Sequence, residues 1–429
     1  MRVLIVSYHF HPSSTIGSVR WTGLAKGLEG LGWETSVIAA DLRTGSYGAR
    51  IIPHRRAGIG SPERLGFARI LPERLPELVF KARRQVLGRE EFPDSISVPR
   101  GRSRLRREIS AILAAPDLER RWSLYGLSVA RNLRSKWKAD IVVSSGPPHS
   151  AHLLGAKLAS EWGVPWVADL RDPLIFVPDP LTWVGRFSNS FLEQLILRDS
   201  SLVLTTSPTL TEDLQHRLGM AGVFTLPNGV MLQELLASRA EPSSSFSISH
   251  IGSVLAGRNP APILDAFLGL RRAAPQDDPL SDSVFRLVGN VTPEHRAPLE
   301  KMAAESSLPE ALEILDPVPR PHAWSLLRTS GLAVILAQNQ HHSIPGKLYE
   351  AIAARVPAMV VTEKGSASWG MAEELGAYPV EPLDKARIGQ LITAAAAGRL
   401  PLPNETVLRS LDYSVKARHL RTLLERVGR

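Results

Sequence analysis

Residues 1–40 read MRVLIVSYHFHPSSTIGSVRWTGLAKGLEGLGWETSVIAA. Val3 to Val6 form a continuous apolar run, the pattern of a parallel strand buried on both faces. Residues 7–15 make a polar loop with two histidines and Pro12. Val19, Leu24, Ala25 and Leu28 then fall roughly on one face of a helix that ends near Gly30 and Gly32. Thr35 to Ala40 reads as a second strand. The unit is βαβ, and its right-handed crossover implies a doubly wound parallel sheet.

The alternation continues outward from this unit. Strands are expected at 139–144, 165–170, 202–206 and 222–226, with helices at 150–162, 187–198 and 208–218 between them. The stretch EPSSSFS, 241–247, is small, polar and proline-containing, and reads as a linker. A second α/β series follows, with strands at 249–252, 284–289, 312–315, 332–336 and 358–362. Helical patterns lie at 261–271, 293–305, 322–328, 346–354 and 414–427. The expected architecture is two Rossmann-like domains facing each other across a cleft. The first spans 1–240 with a basic insertion at about 45–120, and the second spans 241–412. A helix over 413–429 is expected to pack back toward the first domain.

Composition removes several classes of function. The 429 residues include 44% hydrophobic and 22% charged side chains, an ordinary globular balance. No cysteine is present, which excludes disulfide scaffolds, thiolate metal sites and a cysteine nucleophile. The net charge of +9 is concentrated between Arg50 and Arg107, where 15 Lys and Arg face 6 Asp and Glu. Such a block attracts anionic surfaces or is a solvated insertion. No zinc-finger, RNP or leucine-zipper pattern accompanies it, so nucleic acid is not an expected partner. The opening residues lack the features of a signal peptide, and no apolar run is long enough to span a bilayer, so a cytoplasmic protein is expected, with peripheral attraction to the inner membrane face.

Missing motifs narrow the chemistry further. Gly58-Ile59-Gly60 runs into Ser61, Pro62 and Glu63 and is no dinucleotide fingerprint. GxxxxGK[ST], HExxH, GxSxG and D-x-D do not occur. The informative stretch is SIPGKLYEA, 343–351, at the start of a helix that follows a buried strand. Pro345 suits a first helical position, and free amides at such a start make a phosphate site. Lys347 in the first turn opposes the helix dipole, which suggests that it serves an anion. Glu350 lies on the same face and can accept two hydrogen bonds from ribose hydroxyls. An ordinary surface Lys–Glu pair would have the same spacing.

Taken in order, these pieces resemble the bacterial GT-B glycosyltransferases of family GT4, a retaining group that includes exopolysaccharide and lipid-glycan enzymes. The opening strand, loop and helix, ADIVVSSGPPHSAHLLG (139–155), PWVADLRDPL (165–174), LPNGV (226–230), ISHIGSVLAGRNPAPILDAF (248–267) and SIPGKLYEAIAARVPAMVV (343–361) carry the likeness. The resemblance implies a nucleotide-sugar donor, most often a UDP-sugar, in the C-terminal domain and a glycan, lipid-linked or small-molecule acceptor in the N-terminal domain. Glu350 matches the second acid of the family's E-x7-E motif, which binds the donor ribose. Arg258 and Lys347 match cations against the diphosphate, and Gly252, Ser253 and Gly346 line that side. Gly17 matches the glycine loop near the leaving group. Gly17, Arg20, Asp169 and Arg171 are the acceptor-side candidates. His342 stands where the first acid of E-x7-E belongs, Ser253 where an Arg often follows Gly252, and Met231 where an Asp often follows LPNGV.

The expected function is therefore metal-independent, retaining hexosyl transfer with no cofactor, in which Arg258 and Lys347 stabilise the departing diphosphate. His149 follows the Gly146-Pro147-Pro148 turn at a strand end, a site position in open α/β sheets, and is the third catalytic candidate. Arg171 is expected to brace its loop through an ion pair more than to touch substrate. His341 and His342 diverge as neighbours and lack a third ligand, so no metal site is assigned. A same-fold epimerase or hydrolase and a non-catalytic nucleotide-sugar-binding scaffold are the competing readings; His342 and Ser253 favour the scaffold.

Overall fold

The structure is a computed structural model that describes residues 1–41 except 12 and 14, 48–52, 116–174 except 118, 183–218, 222–239, 245–255 and 257–428. Most of the basic insertion, including Gly58 to Glu63, and most of the expected linker lie outside the described residues.

The first half contains β1 (Arg2–Ser7), α1 (Ile16–Gly30), β2 (Glu34–Asp41), β3 (Gly48–Ile52), α2 (Arg120–Arg134), β4 (Ile141–Gly146) and α3 (Ser150–Trp162). It continues with β5 (Trp166–Leu170), α4 (Trp183–Asp199), β6 (Leu202–Thr205), α5 (Pro208–Leu218), β7 (Val223–Thr225) and α6 (Leu232–Ala237). These strands form one sheet in the order β3-β2-β1-β4-β5-β6-β7. Only the β2–β3 pair is antiparallel.

The second half contains β8 (Ser247–Ile251), α7 (Ala261–Ala273), β9 (Val284–Val288), α8 (Pro293–Glu305), β10 (Leu312–Leu315), α9 (Arg320–Arg328) and β11 (Leu332–Leu336). Then come α10 (Gly346–Ala353), β12 (Ala358–Val361), α11 (Ala367–Leu375), β13 (Tyr378–Val380), α12 (Lys385–Ala396), α13 (Glu405–Ser410) and α14 (Tyr413–Val427). The second sheet runs β10-β9-β8-β11-β12-β13, parallel throughout. Strand order reverses between β1 and β4 in one sheet and between β8 and β11 in the other. Each reversal opens a crevice at the C-terminal strand ends, where ligands bind in such sheets.

Strand alternation sorts the core into layers. Val3, Ile5 and Val143 pack under α1 and α14, while Leu4, Val6 and Val142 pack under α2, α3, α4 and α5. The last helix thus crosses back onto the first sheet. Two glycines of α1 permit its close approach: a Cβ at Gly23 would run into the Tyr413 ring, and one at Gly27 into the Ala417 methyl. The two chain crossings between the halves run side by side, with Val230 N–H donating to Leu411 O at 2.8 Å and Tyr413 N–H to Val230 O at 3.2 Å.

Differences from the sequence reading are local. The helix expected from Phe187 starts one turn earlier, at Trp183. β3 and α2 were hidden in and behind the basic stretch, and β3 pairs antiparallel at the sheet edge, where no long apolar run is needed. Among the described residues no helix is long and apolar enough to cross a membrane.

Candidate active site

The two crevices face each other, and two helix starts meet between them. Thr15 caps α1 by accepting from Ser18 N–H at 3.4 Å, and the chain then passes through Ile16 and Gly17. Opposite, Pro345 leads into Gly346 and Lys347 at the start of α10, with no side-chain cap and no acid in the first turn. The Ile16 side chain occupies the space where a Cβ on Gly346 would stand. Two positive dipole ends therefore border one cleft, a setting that favours an anion.

On the C-terminal side, Glu350 is buried and lies between two cations. Lys347 Nζ donates to Oε2 at 2.9 Å and Arg320 Nη2 to Oε1 at 2.6 Å. Burial alone would push this carboxyl pKa up; the charges and hydrogen bonds of Lys347 and Arg320 outweigh it, and the net shift is downward. Glu350 is thus a carboxylate at neutral pH. Arg320 was missed by the sequence reading, although its place at the start of a helix after an edge strand is a site position. Its guanidinium also lies 4.8 Å from the Trp324 ring centroid.

Arg258 is half-buried next to the end of β8. Its Nη1 donates to Ser253 O at 3.4 Å, and the Gln340 side-chain oxygen, in the amide orientation that satisfies both groups, accepts from Nη2 at 2.8 Å. Ser253 therefore contributes its carbonyl to holding Arg258. Beneath Gly252 lies His250, a second residue that the sequence reading passed over. Its Nδ1 meets Val334 O at 2.9 Å, and its buried Nε2 has no hydrogen-bond partner. Burial first, then the charges of Arg258 and Lys347, lower its pKa to about 4. His250 is a neutral imidazole, and the charges of both Arg258 and Lys347 act on it. A histidine inside the buried strand SISHI was the available signal.

On the N-terminal side, Gly17 and Arg171 meet: a Cβ at Gly17 would strike the Arg171 guanidinium. Arg171 Nη2 donates to Pro147 O, and its backbone N–H donates to Gly146 O at 3.1 Å. It braces the Gly146-Pro147-Pro148 turn through these two carbonyls. His149, half-buried after that turn, has its pKa lowered to about 4 by burial and the Arg171 charge. The His152 ring is stacked 6.0 Å from it and is fixed from behind, with Trp166 Nε1 donating to Ser144 Oγ at 2.8 Å and Ser144 Oγ lying 2.9 Å from His152 Nδ1.

Two acceptor-side expectations are corrected. Arg20 and Asp169 are 0% exposed and pair at 2.7 Å. Asp169 also accepts from Trp21 Nε1 and Ser145 Oγ, each at 2.8 Å. Arg20 reaches Asn228 Oδ1 at 3.2 Å and Pro227 O at 3.3 Å. This network ties α1 to the ends of β4 and β5 and to the interdomain chain, leaving neither residue a surface for an acceptor. A pair 149 positions apart in sequence gives no local sign of its burial.

His342, expected among the donor-binding residues, lies between the two halves. Its Nδ1 faces Thr209 Oγ1 at 3.3 Å, and its carbonyl accepts from Ser207 Oγ at 2.5 Å, both across the cleft. Ser343 Oγ donates to Asp172 Oδ1 at 3.0 Å beside it. The residue in place of the family's first acid thus bridges the domains at the mouth of the site. Among the described residues no three His, Cys, Asp or Glu side chains are grouped to hold a metal.

Residues 17–229 match the family model described as Glycosyl transferase 4-like domain. The chain carries a glycosyl transferase 4-like domain. Its two facing parallel-sheet domains have the GT-B architecture. A search of curated proteins returned no match. Among solved structures, the fold is similar to HepE of Anabaena in complex with UDP and glucose, at 14% identity over 71% of this chain and 81% of that one, TM-score 0.55. Sucrose-phosphate synthase from Thermosynechococcus elongatus is 13% identical over 99% and 98% of the two chains, TM-score 0.62. A glycosyltransferase from Rickettsia africae is 12% identical over 99% and 98%, TM-score 0.57. At these identities the likeness concerns the fold of the glycosyl transferase 4-like domain and its partner domain.

Proposed function

We propose that the protein transfers a hexosyl group, with retention at the anomeric carbon, from a UDP-sugar to a hydroxyl of a glycan, lipid-linked or small-molecule acceptor. The observation that carries this reading is the meeting of the α1 and α10 helix starts at Ile16 and Gly346, beside Lys347 and the ionised Glu350, with Arg258 near the end of β8. Glu350 accepts from the ribose hydroxyls. The α10 amides, Lys347 and Arg258 hold the diphosphate, and the UDP and glucose bound to HepE support that choice of donor. As the glycosidic bond breaks, positive charge grows at the anomeric carbon and negative charge on the leaving diphosphate. Fixed cations and amides stabilise the latter without reorganising. The acceptor hydroxyl enters from the same face, and the departing phosphate oxygen takes its proton. His149, neutral at pH 7 and seated on a braced turn, serves as a hydrogen-bonding group to the sugars rather than as a charged one. The reading places the protein in the cytoplasm, where its basic insertion attracts it to the inner membrane face.

The deciding experiment incubates the full chain with a panel of nucleotide sugars and acceptors and reads the anomeric configuration of the product by NMR. A retained anomer supports the proposal; an inverted product refutes it. Nucleotide release that is unaffected by any acceptor favours a hydrolase instead. Turnover is expected to survive EDTA, because cations of the chain carry the leaving-group charge. Loss of rate that is restored by Mg2+ or Mn2+ contradicts this. Replacing Glu350 with alanine is expected to weaken UDP binding by about 1.5–3 kcal/mol, the usual contribution of hydrogen bonds to a charged group. Calorimetry with UDP checks it, and unchanged affinity removes Glu350 from the ribose site.

A further inference from the structure

Glu350 is met by more positive charge than its burial requires. One cation balances a buried carboxylate, and Lys347, one turn earlier on the same face of α10, already donates to Oε2 at 2.9 Å. Arg320 supplies a second at 2.6 Å from Oε1, from the first position of α9. No acid stands in the first turn of either helix, so each cation sits where the helix dipole disfavours it. The cluster keeps one positive charge in excess.

Arg320 is also held more firmly than an ion pair needs. Its guanidinium carbon lies 4.8 Å from the ring centroid of Trp324, one turn further along α9. That ring is buried in the same apolar cluster as Leu348 and Tyr349 of α10. The ring and the Glu350 bond together set the guanidinium plane, and a planar fork so set fixes the carboxylate that it meets. Lys347 cannot do this, because an ammonium is a point charge on a flexible stem. The buried Arg320 Nε–H has no hydrogen-bond partner among the described residues, so Glu350 does not use up the donors of this side chain. The two Glu350 oxygens offer about four acceptor positions, of which the two cations take one on each oxygen. The positions left suit the two neighbouring hydroxyls of a ribose.

We propose that Arg320 is a positioning residue for the donor ribose: it holds the Glu350 carboxylate in the plane where each oxygen meets one hydroxyl, and so makes the site select a ribonucleotide over its 2′-deoxy counterpart. The inference rests on the reading of Glu350 as the ribose acceptor. Both cations keep the carboxylate ionised, and Arg320 alone keeps it aligned. A donor without the 2′ hydroxyl leaves a buried Glu350 oxygen short of a partner, and that penalty is what discriminates. Arg258 and the α10 amides meet the phosphates and are blind to the 2′ position.

The test is calorimetric titration of the full chain with UDP and with 2′-deoxy-UDP, for wild type, Arg320→Gln and Arg320→Lys. Wild type should prefer UDP by about 10- to 100-fold, the usual effect of a hydrogen bond to a charged group. In Arg320→Gln the carboxylate keeps Lys347 but loses its alignment, and the preference should fall to about threefold or less, the scale of a weak net hydrogen bond. Arg320→Lys retains the charge and loses the stacked fork, so its preference should lie between the two. It decides the matter should the Gln variant fail to fold. A merely structural Arg320 would weaken both nucleotides equally; an unchanged preference in both variants overturns the proposal and leaves the ribose reading of Glu350 standing. Equal binding of UDP and 2′-deoxy-UDP by wild type defeats the ribose reading itself, and the proposal with it.

Discussion

Arg258→Ala is expected to lower kcat by about 10²–10³-fold, the scale found on removing one fixed donor to developing charge. UDP affinity should fall less, because the α10 amides and Lys347 still hold the phosphates in the ground state. Lys347→Ala should lower kcat too, with an added loss in donor binding, since Glu350 then keeps only Arg320. The double variant is expected to be clearly less than multiplicative, because both cations act on one diphosphate. His250, whose pKa both charges depress, lies within reach of the two. Steady-state kinetics with a saturating donor check the set. Rates near wild type in both single variants would return Arg258 and Lys347 to the surface.

Asp169→Asn is expected to destabilise the protein by about 3–5 kcal/mol, the cost of stranding one member of a buried ion pair. Arg20 would keep its charge at 0% exposure with only the neutral Asn228 and Pro227 oxygens as further partners. The double variant Arg20→Met/Asp169→Asn should recover part of the loss by removing the stranded charge. The pH dependence has a definite sign. Burial pushes the Asp169 carboxyl pKa up, but Arg20, Ser145 and Trp21 outweigh it and the net shift is downward. The pair's stability is therefore fully present above the unfolded carboxyl value of about 3.9 and is lost as pH falls through the lower folded value. Thermal denaturation between pH 5 and 8 should show no change from this pair. A variant as stable as wild type would mean that water enters the site and solvates Arg20.

Much of this site was legible in the chain itself, and the physical reasons are specific. Parallel strands buried on both faces, such as Leu332–Leu336, are continuous apolar runs, and the helix starting at Gly346 follows from Pro345 and the change of period. Lys347 and Glu350 were readable as a pair because helical spacing alone puts them on one face. Arg320 was not, because it reaches Glu350 from 30 positions away on another helix. The same limit applies to Arg20 and Asp169, which read as cleft residues from their places at a helix start and a strand end. Burial turned them inward. His342 was placed on the donor side by its position in a motif, and it faces Thr209 on the other domain, a partner that no local pattern announces.

The central claim is that the pocket between the two helix starts holds a nucleoside diphosphate through its ribose and both phosphates. Calorimetric titration of the full chain with UDP and then with UMP tests it most directly. The account predicts that UDP binds, and that UMP binds about 10- to 100-fold more weakly because it leaves a cation and the helix-start amides without a phosphate. Equal affinity for the two nucleotides, or no binding of UDP, would contradict the account.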